Sequence, residues 1–193
     1  YGMEFRRAYI DEQPDGELVN RHNQQIAPLL HRRELFAGVD NFWLYDFYQG
    51  DGSVNENVFA FTNSSGPGKT LVVYNNAYPQ ADGWIKLSAA QLTRQGSQKT
   101  MKQSVLAEQL NLPAGRKDYV IFRDQISGLQ FLRPCTQIHA DGLHFRLNGY
   151  ESHVFLDFRV ASVDAWHSYD KLYAMLGSNG VPDIEAALGN MLI

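Results

Sequence analysis

The sequence predicts a mainly β fold: an antiparallel β-sandwich with an N-terminal amphipathic helix and C-terminal helices. Three observations carry this. Between residues 137 and 160 the dipeptides Asp141-Gly142 and Asn148-Gly149 separate runs of alternating apolar and polar side chains. Asp-Gly and Asn-Gly tolerate the positive φ of tight hairpins, so three strands in a meander are expected there. Upstream, apolar runs at 57–62 and 70–75 are joined by a short turn-rich stretch rather than by a helix, which indicates antiparallel pairing. The chain also holds 11 Phe and 10 Tyr, residue types that suit a pleated, half-buried surface.

Taken in order, residues 1–14 have no clear period, and 11–16 read as a loop. Residues 17–36 have helical spacing, with Leu18, His22, Ile26 and Leu30 four apart on one stripe and Leu29 beside them. Pro28 lacks an amide donor, so this helix is expected to kink or restart there, and Gly38 to stop it. Residues 42–48 are aromatic on both faces, as in a strand covered on each side, and Gly50-Asp51-Gly52 breaks the run. After the strands at 57–62 and 70–75, residues 76–84 read as a loop holding Tyr78, Pro79, Gly83 and Trp84.

Residues 88–102 are polar and weakly patterned, an excursion from the sandwich. Ser104 reads as the N-cap of a short helix over 104–110, stopped by Asn111 and Pro113. Strands are expected at 118–122 and 129–132, around a turn at 123–128. In the meander Leu143, Phe145 and Leu147 face one way and His144 and Arg146 the other; Tyr150, Ser152, Val154, Leu156, Phe158 and Val160 share a face. Residues 165–176 are helical, with Trp166, Tyr169, Leu172, Tyr173 and Leu176 on one side, and Val181-Pro182-Asp183 opens a last helix. Three segments result: helical 1–38, the sandwich 39–160 and helical 161–193.

Composition removes several function classes. A net charge of −4 gives no electrostatic reason to bind nucleic acid or an anionic membrane. No apolar run approaches the roughly 20 residues of a membrane helix. The single cysteine, Cys135, excludes an internal disulfide and reads as a small core residue, with a reducing cytoplasm as the default compartment. There is no phosphate-binding Gly-rich loop, nucleophile elbow or zinc-protease helix. His139, His144 and His153 alternate along expected strands and read as a solvated face, so no metal or cofactor is expected. Asp46, Asp51 and Glu56 read as turn formers, and Asp157 with Arg159 as a surface ion pair.

The candidate binding residues are Tyr78 and Trp84, with Asn76 and Asp82 beside them and Asn75 and Gln80 near. Flat aromatic faces flanked by amides and a carboxylate suit sugars, whose CH groups stack on the ring while hydroxyls bond at its edge. The alternative for Trp84 is a core anchor capping the sandwich.

Asn57-Val-Phe-Ala-Phe-Thr-Asn, Leu71-Val-Val-Tyr-Asn-Asn and Gly83-Trp-Ile resemble the C-terminal β domain of the alpha-amylase family of glycoside hydrolases. Phe122-Arg-Asp-Gln-Ile-Ser-Gly-Leu and His153-Val-Phe-Leu-Asp-Phe-Arg continue a similar pattern, and Tyr1-Gly-Met-Glu-Phe-Arg-Arg through Phe36 resembles the run that closes the catalytic (β/α)8 barrel. The resemblance implies an accessory domain whose partner is an upstream barrel of the same polypeptide. The family's aspartate nucleophile, glutamate acid/base and second aspartate would precede Tyr1, and no position here matches their motifs. Tyr1 in place of an initiator Met fits a piece of a longer polypeptide. The expectation is a non-catalytic domain that covers the barrel and contacts alpha-glucan, with a free-standing carbohydrate-binding module as the alternative and a small unrelated enzyme as a third reading. The stripe on the first helix needs cover, from the barrel or from a second copy as a homodimer.

Overall fold

The computed structural model describes residues 13–191, so residues 1–12 of the irregular stretch expected at 1–14 lie outside the described residues. The chain divides into two units after Arg33. In the first, α1 (Gly16–Arg21) is capped by Asp15, whose carboxylate accepts the Glu17 and Leu18 amides. A π turn (His22–Ile26) and α2 (Ala27–Leu30) follow. The wide turn and restart answer to Pro28, which cannot donate to the carbonyl one turn back. Leu18, Ile26 and Leu30 remain exposed in this unit.

The second unit opens with α3 (Glu34–Ala37), so the single helix expected over 17–36 is broken. The reason is packing: Leu35 is buried against the β2–β3 hairpin, where a Cβ on Gly68 would meet its side chain. That hairpin joins β2 (Val58–Ser65) to β3 (Gly68–Asn75) through Gly66-Pro67, with Gly66 in the left-handed region (φ 55°). Preceding it, β1 (Trp43–Gln49) buries Tyr45 and Phe47 but leaves Leu44 exposed, so the strand is covered on one face, not both. Next, β4 (Ala81–Ser88) takes in Gly83 and Trp84, so the loop expected over 76–84 gives way to a strand at residue 81. Gly83 is required there, because a Cβ would strike the Tyr48 carbonyl. The polar excursion is a separate two-stranded ribbon, β5 (Gln91–Gln95) with β6 (Gln98–Lys102).

A short helix, α4 (Leu106–Gln109), is N-capped by Val105 without a side-chain bond. Ser104 instead receives the Gln109 amide on its hydroxyl and gives its own amide to Ser88 Oγ. Then come β7 (Asp118–Asp124), β8 (Gln130–Pro134), α5 (Cys135–Asp141), β9 (Leu143–Leu147) and β10 (Ser152–Ser162). The meander is therefore corrected twice. Residues 135–141 are helical because Cys135 and Ile138, three apart, enter the core from one helix face. And β9 pairs with β4 while β10 pairs with β3 and β7, so the two strands around Asn148-Gly149 are not hydrogen-bonded partners. A bulge at Asp157 (φ 57°) also breaks the single face expected along β10. Asp157 pairs with Arg123 of β7 and Arg159 with Glu185, not with each other.

The other eight strands form one antiparallel sheet in the order β8-β7-β10-β3-β2-β1-β4-β9. The sheet curls, and its two halves face each other across a shared core in the manner of a sandwich. Phe145 of edge strand β9 meets Phe155 of β10 with ring centroids 5.7 Å apart, although no backbone bond joins them. A second apolar cluster seats α6 (Tyr169–Leu176) and α7 (Ile184–Met191) on β7 and β8 through Tyr169, Leu172, Ile184 and Leu188. The helix expected from 165 starts later, leaving Trp166 exposed. No helix among the described residues is long and apolar enough to cross a membrane.

Candidate functional site

The curl stops short of closure, and the gap between edge strands β8 and β9 is a cleft. Its larger part, about 510 Å3, has a floor of Phe122, Phe131, Phe145 and Phe155, with Arg133 on one wall and His144 and Arg146 on the other. Glu151 and His153 line the same space. A smaller part, about 280 Å3, shares Arg133, Leu143, His144 and Ser178 and adds Trp84, Gln137, Ile138, Gly142 and Tyr173. The phenyl floor is preorganised: Phe122 stacks on Phe131 at 5.8 Å, and Phe155 meets both edge-on.

Strand alternation places the polar rim. Asp82 and Trp84 lie two apart on β4 and so share its outer face. Across the pair, Trp84 sits opposite His144 and Asp82 opposite Arg146. The indole and imidazole centroids are 4.6 Å apart, and Asp82 accepts from His144 Nε2 and Arg146 Nε, both at 2.8 Å. These bonds, that from His144 foremost, hold the Asp82 carboxyl below its ordinary value. Trp84 is half-buried and lies outside both apolar clusters.

The other sequence-derived candidates lie at the end of β4. Tyr78 is exposed in the loop 76–80, and the Asn76 side chain receives the Tyr74 hydroxyl. Asn75 is buried, and its amide donates to the carbonyls of Pro79 and Asn148, pinning that loop to the 148–150 turn. Gln80 reaches Asn148 as well. So the structure unites Asp82 with Trp84, sets Asn76 and Tyr78 apart on the loop, and gives Asn75 a structural task.

The three histidines do not form one solvated face. His139 lies on α5 and donates to the Leu112 carbonyl. His153 points into the cleft between two carboxylates, with Nδ1 2.9 Å from Asp124 and Nε2 3.1 Å from Glu151. Only an imidazolium donates from both nitrogens. Burial opposes that charge, but the two carboxylates outweigh it and raise the His153 pKa. Cys135 is buried, and its thiol is pushed up to about 12 by burial. Among the described residues no three His, Cys, Asp or Glu side chains gather where they could hold a metal ion. Sequence reasoning missed Arg133 and Arg146. The signal for Arg146 was present in its position two after His144; Arg133 carries none, because the Gly177 and Ser178 carbonyls that hold its end lie more than forty residues away.

Comparison with known proteins finds no matching family model and no matching curated protein.

Proposed function

We propose that the chain is a non-catalytic accessory domain of an alpha-glucan-active glycoside hydrolase of the alpha-amylase type, and that the outer face of β4 and β9 with the adjoining cleft contacts the glucan. The observation that carries this reading is the Trp84 ring bordered by Asp82, His144 and Arg146. An indole face takes the CH surface of a pyranose, and the charged groups at its edge both donate to and accept from hydroxyls. The carboxylates at the rim and in the cleft are engaged by cations, Asp82 by Arg146 and Glu151 by His153, which supports binding rather than acid/base cleavage. The exposed stripe Leu18, Ile26 and Leu30 supports a partner surface for the first helix, on an upstream barrel or a second copy. A free-standing carbohydrate-binding module is the second reading, favoured by the sheet having a core of its own.

The test is retardation in a maltodextrin affinity gel. The wild-type chain should be retarded, and Trp84→Ala should abolish this while its circular dichroism and melting profile stay unchanged. The chain alone should release no reducing ends from starch. Retardation that survives in folded Trp84→Ala, or no retardation of the wild type, overturns the proposal.

A further inference from the structure

The charges of the cleft do not cancel evenly along its length. At the larger end Glu151 and buried Asp124 flank His153, and Arg146 is matched by Asp82. The smaller end has no Asp or Glu in its lining. Arg133 lines both ends; its guanidinium lies over the Phe131 ring, 5.7 Å from the centroid, and its hydrogen bonds go to carbonyls: Nη1 donates to Leu132 and Gly177, and Nη2 to Ser178. Three of its five N–H groups are so used. The adjacent carbonyls of Gly177 and Ser178 take the end of the guanidinium, which leaves Nε and one Nη2 hydrogen, the side-on pair that matches two oxygens of one anion. Half-buried and unmatched by any carboxylate among the described residues, Arg133 has its pKa pulled down by burial, the mark of an undercompensated cation. His144 faces the same cavity, and Lys86, on the Trp84 face of β4, anchors to the Ala140 carbonyl close by.

We infer that this smaller cavity is an anion subsite, in which the free fork of Arg133 grips a phosphate or carboxylate borne on a sugar whose ring lies against Trp84. The inference rests on the glucan-contacting surface proposed above and specifies it: the preferred saccharide carries an acidic substituent. In a chain of net charge −4, this attraction is local and does not extend to polyanions in general.

Calorimetric titration of the whole chain with glucose, glucose 6-phosphate, glucuronate, inorganic phosphate and maltotriose tests it. The two acidic sugars should bind about tenfold or more tighter than glucose, since a charge-assisted forked pair is worth at least that factor. Arg133→Met should erase the preference of the acidic sugars over glucose. If Arg133→Met does not fold, Arg133→Lys, which keeps the charge but not the fork, should reduce the preference, and an unchanged preference sinks the inference. No preference in the wild type, or inorganic phosphate binding as tightly as glucose 6-phosphate, overturns it. Maltotriose that fails to bind while the acidic sugars bind refutes the neutral-glucan reading and leaves the subsite standing.

Discussion

His153 and Asp124 form an ion pair in which the carboxylate is completely buried and the imidazole lines the cleft, Nδ1 to Oδ2 at 2.9 Å. Asp124 also accepts the backbone amides of Ile126, Ser127 and Val154, so one carboxyl group ties the β7–β8 turn to β10. Burial alone would raise its pKa; the bonds and charge of His153, with Ser127 and the Ile126 amide, lower it. His153 is raised above its ordinary 6.5.

The sign of the pH dependence follows. His153's raised pKa gives stability that is complete below its unfolded value, about 6.5, and is lost as pH rises through its folded value. Asp124's depressed pKa gives stability that is complete above its unfolded value, about 3.9, and is lost as pH falls through its folded value. Urea midpoints should therefore be highest between about pH 4 and 6.5 and decline on the alkaline side. His153→Gln should flatten the alkaline decline, and Asp124→Asn should cost about 3 kcal/mol at pH 6. An alkaline limb that His153→Gln leaves unchanged would exclude this pair as its source.

Much of the sheet was legible because local signals agreed with global packing. In β2 and β3 strand alternation, a Gly-Pro turn and short spacing all point the same way. At 135–149 they conflict. Asp141-Gly142 reads as a hairpin turn, yet Gly142 (φ 81°) ends α5, and a Cβ there would meet the Ile85 carbonyl. Asn148-Gly149 is a turn whose glycine lies against the Tyr78 carbonyl, and Tyr150 also takes positive φ (59°). Such turns are set by tertiary contacts that no local pattern records. The same holds for the cleft. Asp82 and Trp84 were readable as neighbours, but Arg133 shares a cavity with Trp84 only because the sheet curls until β8 and β9 face one another.

Thr70 supplies the second prediction. It lies fully buried in β3 opposite Asn63, and its hydroxyl has no hydrogen-bond partner. A buried unsatisfied hydroxyl keeps its desolvation cost without return. Thr70→Val has nearly the same shape and no hydroxyl, so it should stabilise the sheet by about 1 kcal/mol, read as a higher urea midpoint at unchanged slope. A loss of stability would mean that the hydroxyl is satisfied in solution.

The boundary between the two units supplies the last. The division falls after Arg33, and α3 belongs with the sheet. Leu35 is only 4% exposed. The Asn63 side-chain amide donates to the carbonyls of Phe36 and Gly38, at 3.3 and 2.7 Å. Two truncations three residues apart should therefore behave differently. Removing residues 1–33 deletes no buried side chain from among the described residues, so the remainder should fold cooperatively and melt as the sheet does in the full chain. Removing residues 1–36 also takes Leu35 out of its seat beside Gly68 and one acceptor from Asn63. Emptying a buried leucine site costs about 2–5 kcal/mol, so this shorter chain should unfold at clearly lower urea, with Leu35→Ala in the longer one reproducing most of the loss. Equal midpoints for the two truncations would show that α3 contributes nothing to the sheet and that the boundary lies beyond it.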